Sequence, residues 1–293
     1  MRRYRFSGGT AILTGAASGI GEALAHGLAA RGSALVLLDR DAERLDGVAE
    51  AIRRQWPDLP VATERVDLSD RDATERAGRR LAADHPQTTL LINNAGVALG
   101  GRFEQLTLDE FEWLFDINFR AVVTLTHHLL PVLRSHPGSH LANVSSVFGI
   151  IAPAGQSAYS SSKFAVRGFT EVLRHELAGD NIGVTCIHPG GIATRIATSA
   201  RIGNGVTETE RASGREEAAR LLTIPPATAA NVILAGIQRR RPRVLIGWSA
   251  RVPDVLARLA PGSYGRLLAA AVGARTRRAA RPDGRQATPP GRP

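Results

Sequence analysis

Lysine is nearly missing from this sequence: of 37 basic side chains in 293 residues, only Lys163 is not an arginine. Sulfur is as scarce, with one cysteine, Cys186, and one methionine. A lone cysteine excludes an intrachain disulfide framework and fits a reducing, cytoplasmic setting. Within its apolar run it reads as a buried structural thiol. Aromatic residues make up 5% of the chain and do not interleave with the arginines, so no nucleic-acid module is legible. There is no apolar run of about 18 residues, so no transmembrane helix is expected. The N-terminus carries Arg2, Arg3 and Arg5 but runs into glycines instead of an apolar core, and it is not read as a signal peptide.

What is present suits an α/β protein. The chain is long enough to bury a large core, and 43% hydrophobic residues with 30 glycines is an ordinary balance for one. The net charge of +10 is uneven. Residues 239–293 hold thirteen arginines against Asp254 and Asp283, while residues 1–238 hold 24 basic and 25 acidic side chains. A basic end suits either a solvated, disordered tail or an anionic membrane or nucleic-acid surface. The tail is the preferred reading, with disorder from 275 onward and no nucleic-acid partner.

The first half repeats a strand, turn and helix. Residues 10–14 predict a strand, followed by Thr14-Gly15-Ala16-Ala17-Ser18-Gly19-Ile20-Gly21 and an amphipathic segment over 22–30. Glycines at such a turn let backbone approach a pyrophosphate, and the new helix offers free N–H groups. A second strand over 33–38 ends in Asp39, where an acid binds adenosine ribose hydroxyls and repels a 2′-phosphate. This favours NAD; the adjacent Arg40 keeps NADP open. Helices over 41–55 and 70–84 alternate with strands over 61–66 and 89–92, the latter leading into Asn93-Asn94-Ala95-Gly96. Such alternation predicts a doubly wound, Rossmann-type parallel sheet of about seven strands, with ligands beyond the strands' carboxyl ends.

In the second half, Tyr159 and Lys163 stand four apart in a predicted helix over 159–177, on one face. A nearby ammonium favours phenolate over phenol, so the Tyr159 pKa is expected to fall toward working pH, making a proton donor and acceptor for carbonyl or alcohol chemistry. The remaining expected elements are a long helix over 107–133, strands over 140–144, 182–187 and 243–247, and a helix over 227–238. His127 and His128 on the long helix lack a metal-ligand partner set and read as surface or interface residues, and no metal is expected. Val147 to Pro153 forms an apolar loop that suits an apolar substrate or simply packs the core.

These motifs, in this order, resemble the short-chain dehydrogenase/reductase family, in its common single-domain branch, from about residue 7 to 247. The glycine turn resembles the family's Thr-Gly-x-x-x-Gly-x-Gly, and residues 93–96 its Asn-Asn-Ala-Gly. The resemblance implies an enzyme that interconverts a secondary alcohol and a ketone by hydride transfer. It implies Tyr159 as acid/base, Lys163 tuning it and binding the nicotinamide ribose, and Ser146, thirteen residues before Tyr159, holding the substrate oxygen. Ser145 then supports the turn. Asn118 becomes a fourth catalytic residue, holding a water that links Lys163 to solvent. It assigns cofactor contacts to Gly15, Ser18, Gly19, Ile20 and Gly21, to Asp39 and Arg40, to Asp67 and Leu68 near the adenine, and to Asn94, Ala95 and Gly96. For Asn94 a purely structural role is equally open. Further contacts fall on Pro189, Gly190, Ile192 and Thr194 at the nicotinamide carboxamide.

It also implies a catalytic domain over 1–248, a mobile lid over 195–223, and homodimers or homotetramers. Beyond the resemblance lies an extension over 249–274. Its segments 252–259 and 264–272 read as short amphipathic helices that cover the site mouth, join subunits or touch a membrane surface; membrane contact is the less favoured. Two other classes stay in view: a non-catalytic NAD sensor on the same fold, and a binder of anionic surfaces through the basic tail.

Overall fold

The computed structural model describes residues 2–196 and 199–266. Its first half runs β1 (Thr10–Thr14), α1 (Gly19–Ala29), β2 (Ala34–Asp39), α2 (Ala42–Gln55), β3 (Val61–Arg65), α3 (Arg71–Asp84), β4 (Thr88–Asn93), β5 (Leu99–Gly100), α4 (Leu108–Phe115) and α5 (Ala121–Arg134). The second half runs β6 (His140–Val144), α6 (Ser157–Glu176), β7 (Gly183–Pro189), β8 (Arg201–Ile202), α7 (Glu208–Leu221), α8 (Pro226–Gln238), β9 (Arg243–Ile246) and α9 (Trp248–Leu259).

Seven strands form one parallel sheet in the order β3-β2-β1-β4-β6-β7-β9. Both faces are covered, so the central strands are apolar throughout instead of alternating with polar residues. Ala11 and Leu13 point to one face, with α1, α2 and α8; Ile12 points to the other, with α3, α5 and α6. Cys186 is fully buried in β7, and burial pushes its thiol up to about 12.

Strand order reverses between β1 and β4, opening a crevice at the carboxyl end of the sheet where a doubly wound fold binds ligands. The Gly15 turn leaves β1 there and the Asn94–Gly96 segment leaves β4.

Two expectations change. The single helix over 107–133 starts as expected, with Thr107 and Glu110 in a reciprocal capping box, but Asp116–Arg120 is a π-turn between α4 and α5. The Ala121 N–H reaches back five residues to the Asp116 carbonyl. The segment over 195–223, for which no regular element was expected, contains the fourteen-residue helix α7 and the strand β8, which pairs with β5 in a separate ribbon. The helix expected over 264–272 enters the described residues only at its first turn, and the tail from 275 lies outside them.

Candidate active site

Steric exclusion shapes the glycine turn. Gly15 has φ +67, and a Cβ there would lie 2.8 Å from the Ala95 Cα. At Gly21 a Cβ would meet the Gly15 carbonyl oxygen at 1.8 Å. The first turn of α1 therefore sits on the backbone of its own loop, with its free N–H groups opening at Gly19 and Ile20. Ser18 precedes it in extended conformation, and its hydroxyl makes no capping bond.

Side chains then fasten the turn to its neighbours. The Thr14 hydroxyl accepts from the Asn94 and Ala95 N–H groups, both at 3.0 Å. The Asn94 amide donates to the Thr14 carbonyl at 3.0 Å and the Gly15 carbonyl at 3.2 Å. Asn94 thus clamps β4 onto the glycine turn. Asp39 accepts from the Ala17 N–H and the Asp41 N–H, each at 3.1 Å. Each of its oxygens keeps capacity for a further hydroxyl.

Asp67 is held by the Ser69 N–H and hydroxyl. Partial burial opposes ionisation, but these bonds and the charges of Arg40 and Arg201 hold its carboxyl below the usual range. Thr194 comes to the same crevice from β7: a Cβ on Gly19 would lie 3.1 Å from its methyl carbon. Ile192 is buried, bridged to Ile224, and Gly190 is bonded to the Ile246 carbonyl.

Across the crevice lie the candidate reacting groups. Tyr159 and Lys163 sit in the first two turns of α6, and Ser146 follows β6. The Ser146 hydroxyl accepts from the Phe148 N–H at 3.1 Å and lies near enough to Tyr159 to favour its phenolate. Lys163 is 2% exposed; its Nζ donates to the Val144 carbonyl at 3.1 Å and lies 5.8 Å from the centre of the Tyr159 ring.

Here the expected direction of one shift is reversed. Burial pushes the Tyr159 phenol up, against a lowering by Ser146, and pushes the Lys163 ammonium down to about 8. The cost of desolvating the two groups outweighs their mutual effect at this separation.

Asn118 sits in the π-turn, fully buried. Its Oδ1 accepts from the Val97 N–H at 2.8 Å, and its amide donates to the Val97 carbonyl at 3.0 Å and the Ser162 hydroxyl at 3.2 Å. Its side chain holds the β4 exit loop to α6. A Cβ on Gly96 would lie 3.1 Å from the Lys163 Nζ and 3.2 Å from the Asn118 Oδ1, so the two meet across that glycine.

Ser162 and His188 carried no sequence signal of their roles, and Ser145 none of its partner. Ser162 relays Asn118 to the Tyr159 carbonyl at 2.8 Å. Ser145 donates to the Lys163 carbonyl at 2.8 Å. His188, fully buried, lies with Nδ1 3.0 Å from the Ser146 carbonyl; a carbonyl only accepts, so Nδ1 carries the proton. Burial holds this imidazole down to about 4, hence neutral.

The loop from Val147 to Pro153 mostly packs: Val147, Ile150 and Ile151 bury against Ala250 of α9, while the Phe148 ring meets Tyr159 edge-on at 6.1 Å. The ribbon β5–β8 and the Arg201 guanidinium, 3.6 Å from the Trp113 ring centre, pin the start of the 199–223 segment. His128 Nε2 lies 2.9 Å from the Glu75 carboxylate, joining α5 to α3. Among the described residues no group of three or more His, Cys, Asp or Glu is placed to hold a metal ion.

The model of the short chain dehydrogenase family matches residues 9–204. A Mycobacterium tuberculosis protein named "Putative oxidoreductase SadH" is 39% identical over 270 residues, covering 91% of this chain and 96% of its own. Serine 3-dehydrogenase of Agrobacterium fabrum is 34% identical over 197 residues, 67% of this chain and 77% of that one. Among solved structures, a short chain dehydrogenase/reductase from Burkholderia phymatum in complex with NAD has a TM-score of 0.78 at 25% identity. It covers 87% of this chain and 94% of that one. A short-chain dehydrogenase from Sphingobium yanoikuyae in complex with NADPH has 0.70 at 28%, covering 96% and 98%. The chain belongs to the short-chain dehydrogenase/reductase family and is an oxidoreductase of that family.

Proposed function

We propose that the protein interconverts a secondary alcohol and a ketone with a nicotinamide dinucleotide, Tyr159 moving the proton. The observation that carries this reading is Tyr159 at the crevice beside Ser146, with the buried Lys163 Nζ 5.8 Å from the centre of its ring. The residues present fit the cofactor. The cradle at Gly15 and Gly21 admits no side chain, the start of α1 offers N–H groups to phosphate, and the Asp39 carboxylate suits ribose hydroxyls. When bound, NAD supplies the hydride acceptor, its reduced form the donor, and its oxidised ring a positive charge that favours the phenolate.

This chain's own groups do the rest. In oxidation Tyr159 takes the hydroxyl proton, and in reduction it returns it. Ser146 donates to the substrate oxygen, its backbone steadied by neutral His188. Lys163 lowers the cost of the phenolate and grips the nicotinamide ribose, and Asn118 holds the loop that passes the proton on through water. The cradle residues Gly15, Ser18, Gly19, Ile20 and Gly21 bind the pyrophosphate. Asp39 and Arg40 bind the ribose, and Asp67 and Leu68 the adenine side. Asn94, Ala95 and Gly96 line the middle, and Pro189, Gly190, Ile192 and Thr194 take the carboxamide. Asp39 favours NAD, and exposed Arg40 beside it leaves NADP usable.

The catalytic domain spans 1–248, with residues 195–223 as its lid. The cytoplasm is the setting. Phe148 beside Tyr159 supports a substrate with apolar character. Exposed Phe164 and Val172 on α6 support assembly into a homodimer or homotetramer through that helix.

A panel of secondary alcohols, diols, hydroxysteroids and diketones, followed at the nicotinamide absorbance with NAD and NADP in parallel, tests the reaction. Tyr159→Phe is expected to keep NAD binding and lose turnover about 10³-fold. Comparable turnover in that variant would sink the assignment.

A further inference from the structure

Helix α9 is amphipathic with its apolar side turned both ways. Inward it buries Ala250 and Pro253, but Trp248, Val252, Val255 and Leu259 are between 53% and 80% exposed. At 3.6 residues per turn these four fall within an arc of about 60°, one unbroken apolar stripe along the outer edge. Scattered exposed hydrophobics need no explanation; a contiguous stripe does.

Along one flank of the stripe runs a groove of about 590 Å³ between α8, β9 and α9. Arg239, Arg241, Arg243, Arg251 and Arg258 line it, against Asp254 as the one carboxylate. Asp254 accepts from Arg243 at 2.6 Å and from Arg258 at 3.2 Å, which fixes two of the five guanidinium groups and leaves a strong positive excess.

We propose that this face docks on an anionic bilayer surface, the α9 stripe seated at the headgroup boundary and the arginines on headgroup phosphates. Charge decides between occupants. A second copy of the chain would set one arginine groove against another. Residues 267–293 carry six arginines and one aspartate, so the rest of this chain is repelled as well. The occupant is therefore anionic, yet it must also accept an apolar edge that stands out from the surface. A bilayer offers both within one layer and needs no preformed pocket for Trp248 or Leu259. No described helix is long and apolar enough to cross a membrane, so the contact lies on the surface. The inner side of α9 packs on the loop that follows Ser146, so docking would set that loop about 10 Å, one helix thickness, from the lipid. The surface stands independently of the reaction proposed above.

Co-sedimentation of the full chain with vesicles decides it, using phosphatidylcholine alone and phosphatidylcholine mixed equally with phosphatidylglycerol. Binding is expected only to the mixed vesicles, weakening with salt and accompanied by a blue shift of emission that Trp248→Phe removes. Trp248→Asp with Leu259→Asp, and separately Arg239→Glu with Arg251→Glu, are each expected to cut binding about tenfold or more. Unchanged thermal melting and NAD binding would show that these variants are folded. Equal binding by the α9 variants would assign the effect to residues 267–293 and overturn the proposal. Indifference to vesicle charge, or no vesicle binding at all, would overturn it too. So would a dimer that Leu259→Asp dissociates, which would make the face a contact between copies.

Discussion

The two walls of the crevice are built on different principles. The wall from β1 and β2 is made of backbone: its shape follows from where a Cβ cannot go, and Gly15, Gly19 and Gly21 are fixed by contacts to main chain or to a neighbouring methyl. The wall from the π-turn, β6 and α6 is made of buried polar side chains, in which Asn118, Ser162, Ser146 and Lys163 satisfy one another and the main chain around them. The first wall presents N–H groups and one carboxylate to the crevice. The second must hold titratable groups away from water, which costs desolvation and shifts their pKa values. Tolerance should differ accordingly. On the first wall any added atom is harmful, and on the second any lost partner is.

That contrast can be broken in four places. Gly21→Ala puts a methyl 1.8 Å from a carbonyl oxygen that no rotamer can move. We expect a loss of about 4 kcal/mol in denaturant unfolding together with NAD binding; a stable, NAD-binding variant would mean the turn is not built on exclusion.

Next is Lys163, whose ammonium burial lowers from 10.5 to about 8. Between those pH values the unfolded chain holds a proton that the folded chain has released, so stability gained through Lys163 rises with pH. Below about pH 8 both states are protonated and the penalty is constant. Relative to Lys163→Met, the wild-type protein should gain up to about 3 kcal/mol across that window. A flat difference curve would show that the lysine is solvated.

Asn118→Ala strands both polar groups of Val97, and should cost about 2 kcal/mol in unfolding experiments while lowering turnover. If stability is unchanged, water has replaced the clamp. The smallest effect is expected at Asp39→Ser. The ratio of kcat/KM for NADP over NAD should rise about tenfold as a repelling charge is removed. No change would put the discrimination elsewhere, with Arg40 first in line.

Much of the first wall was legible because glycine spacing between a strand and a helix has few other meanings. The parallel, doubly wound sheet follows from βαβ alternation, and the position of Asp39 from the end of the second strand. The second wall was legible only in part. Tyr159 and Lys163 announce themselves by a one-turn spacing and by the rarity of lysine. Ser162, Ser145 and His188 do not, because their work depends on which elements pack together. The π-turn at Asn118 was missed since apolar periodicity survives a single wide turn. The sign of the Tyr159 shift was misjudged for a related reason: spacing gives proximity to a charge but says nothing of burial, which proved the larger influence.

The alternation of elements, the cradle and the identity of the candidate reacting groups are written along the chain, because local sterics and short-range spacing act before it is packed. Tertiary structure alone decided what those groups experience. It buried Lys163 to 2% exposure, tied Asn118 to Val97, set His188 under Ser146, and turned the stripe of α9 outward beside five arginines. Desolvation and unpartnered surface are properties of packing, and no arrangement of residues along the chain states them.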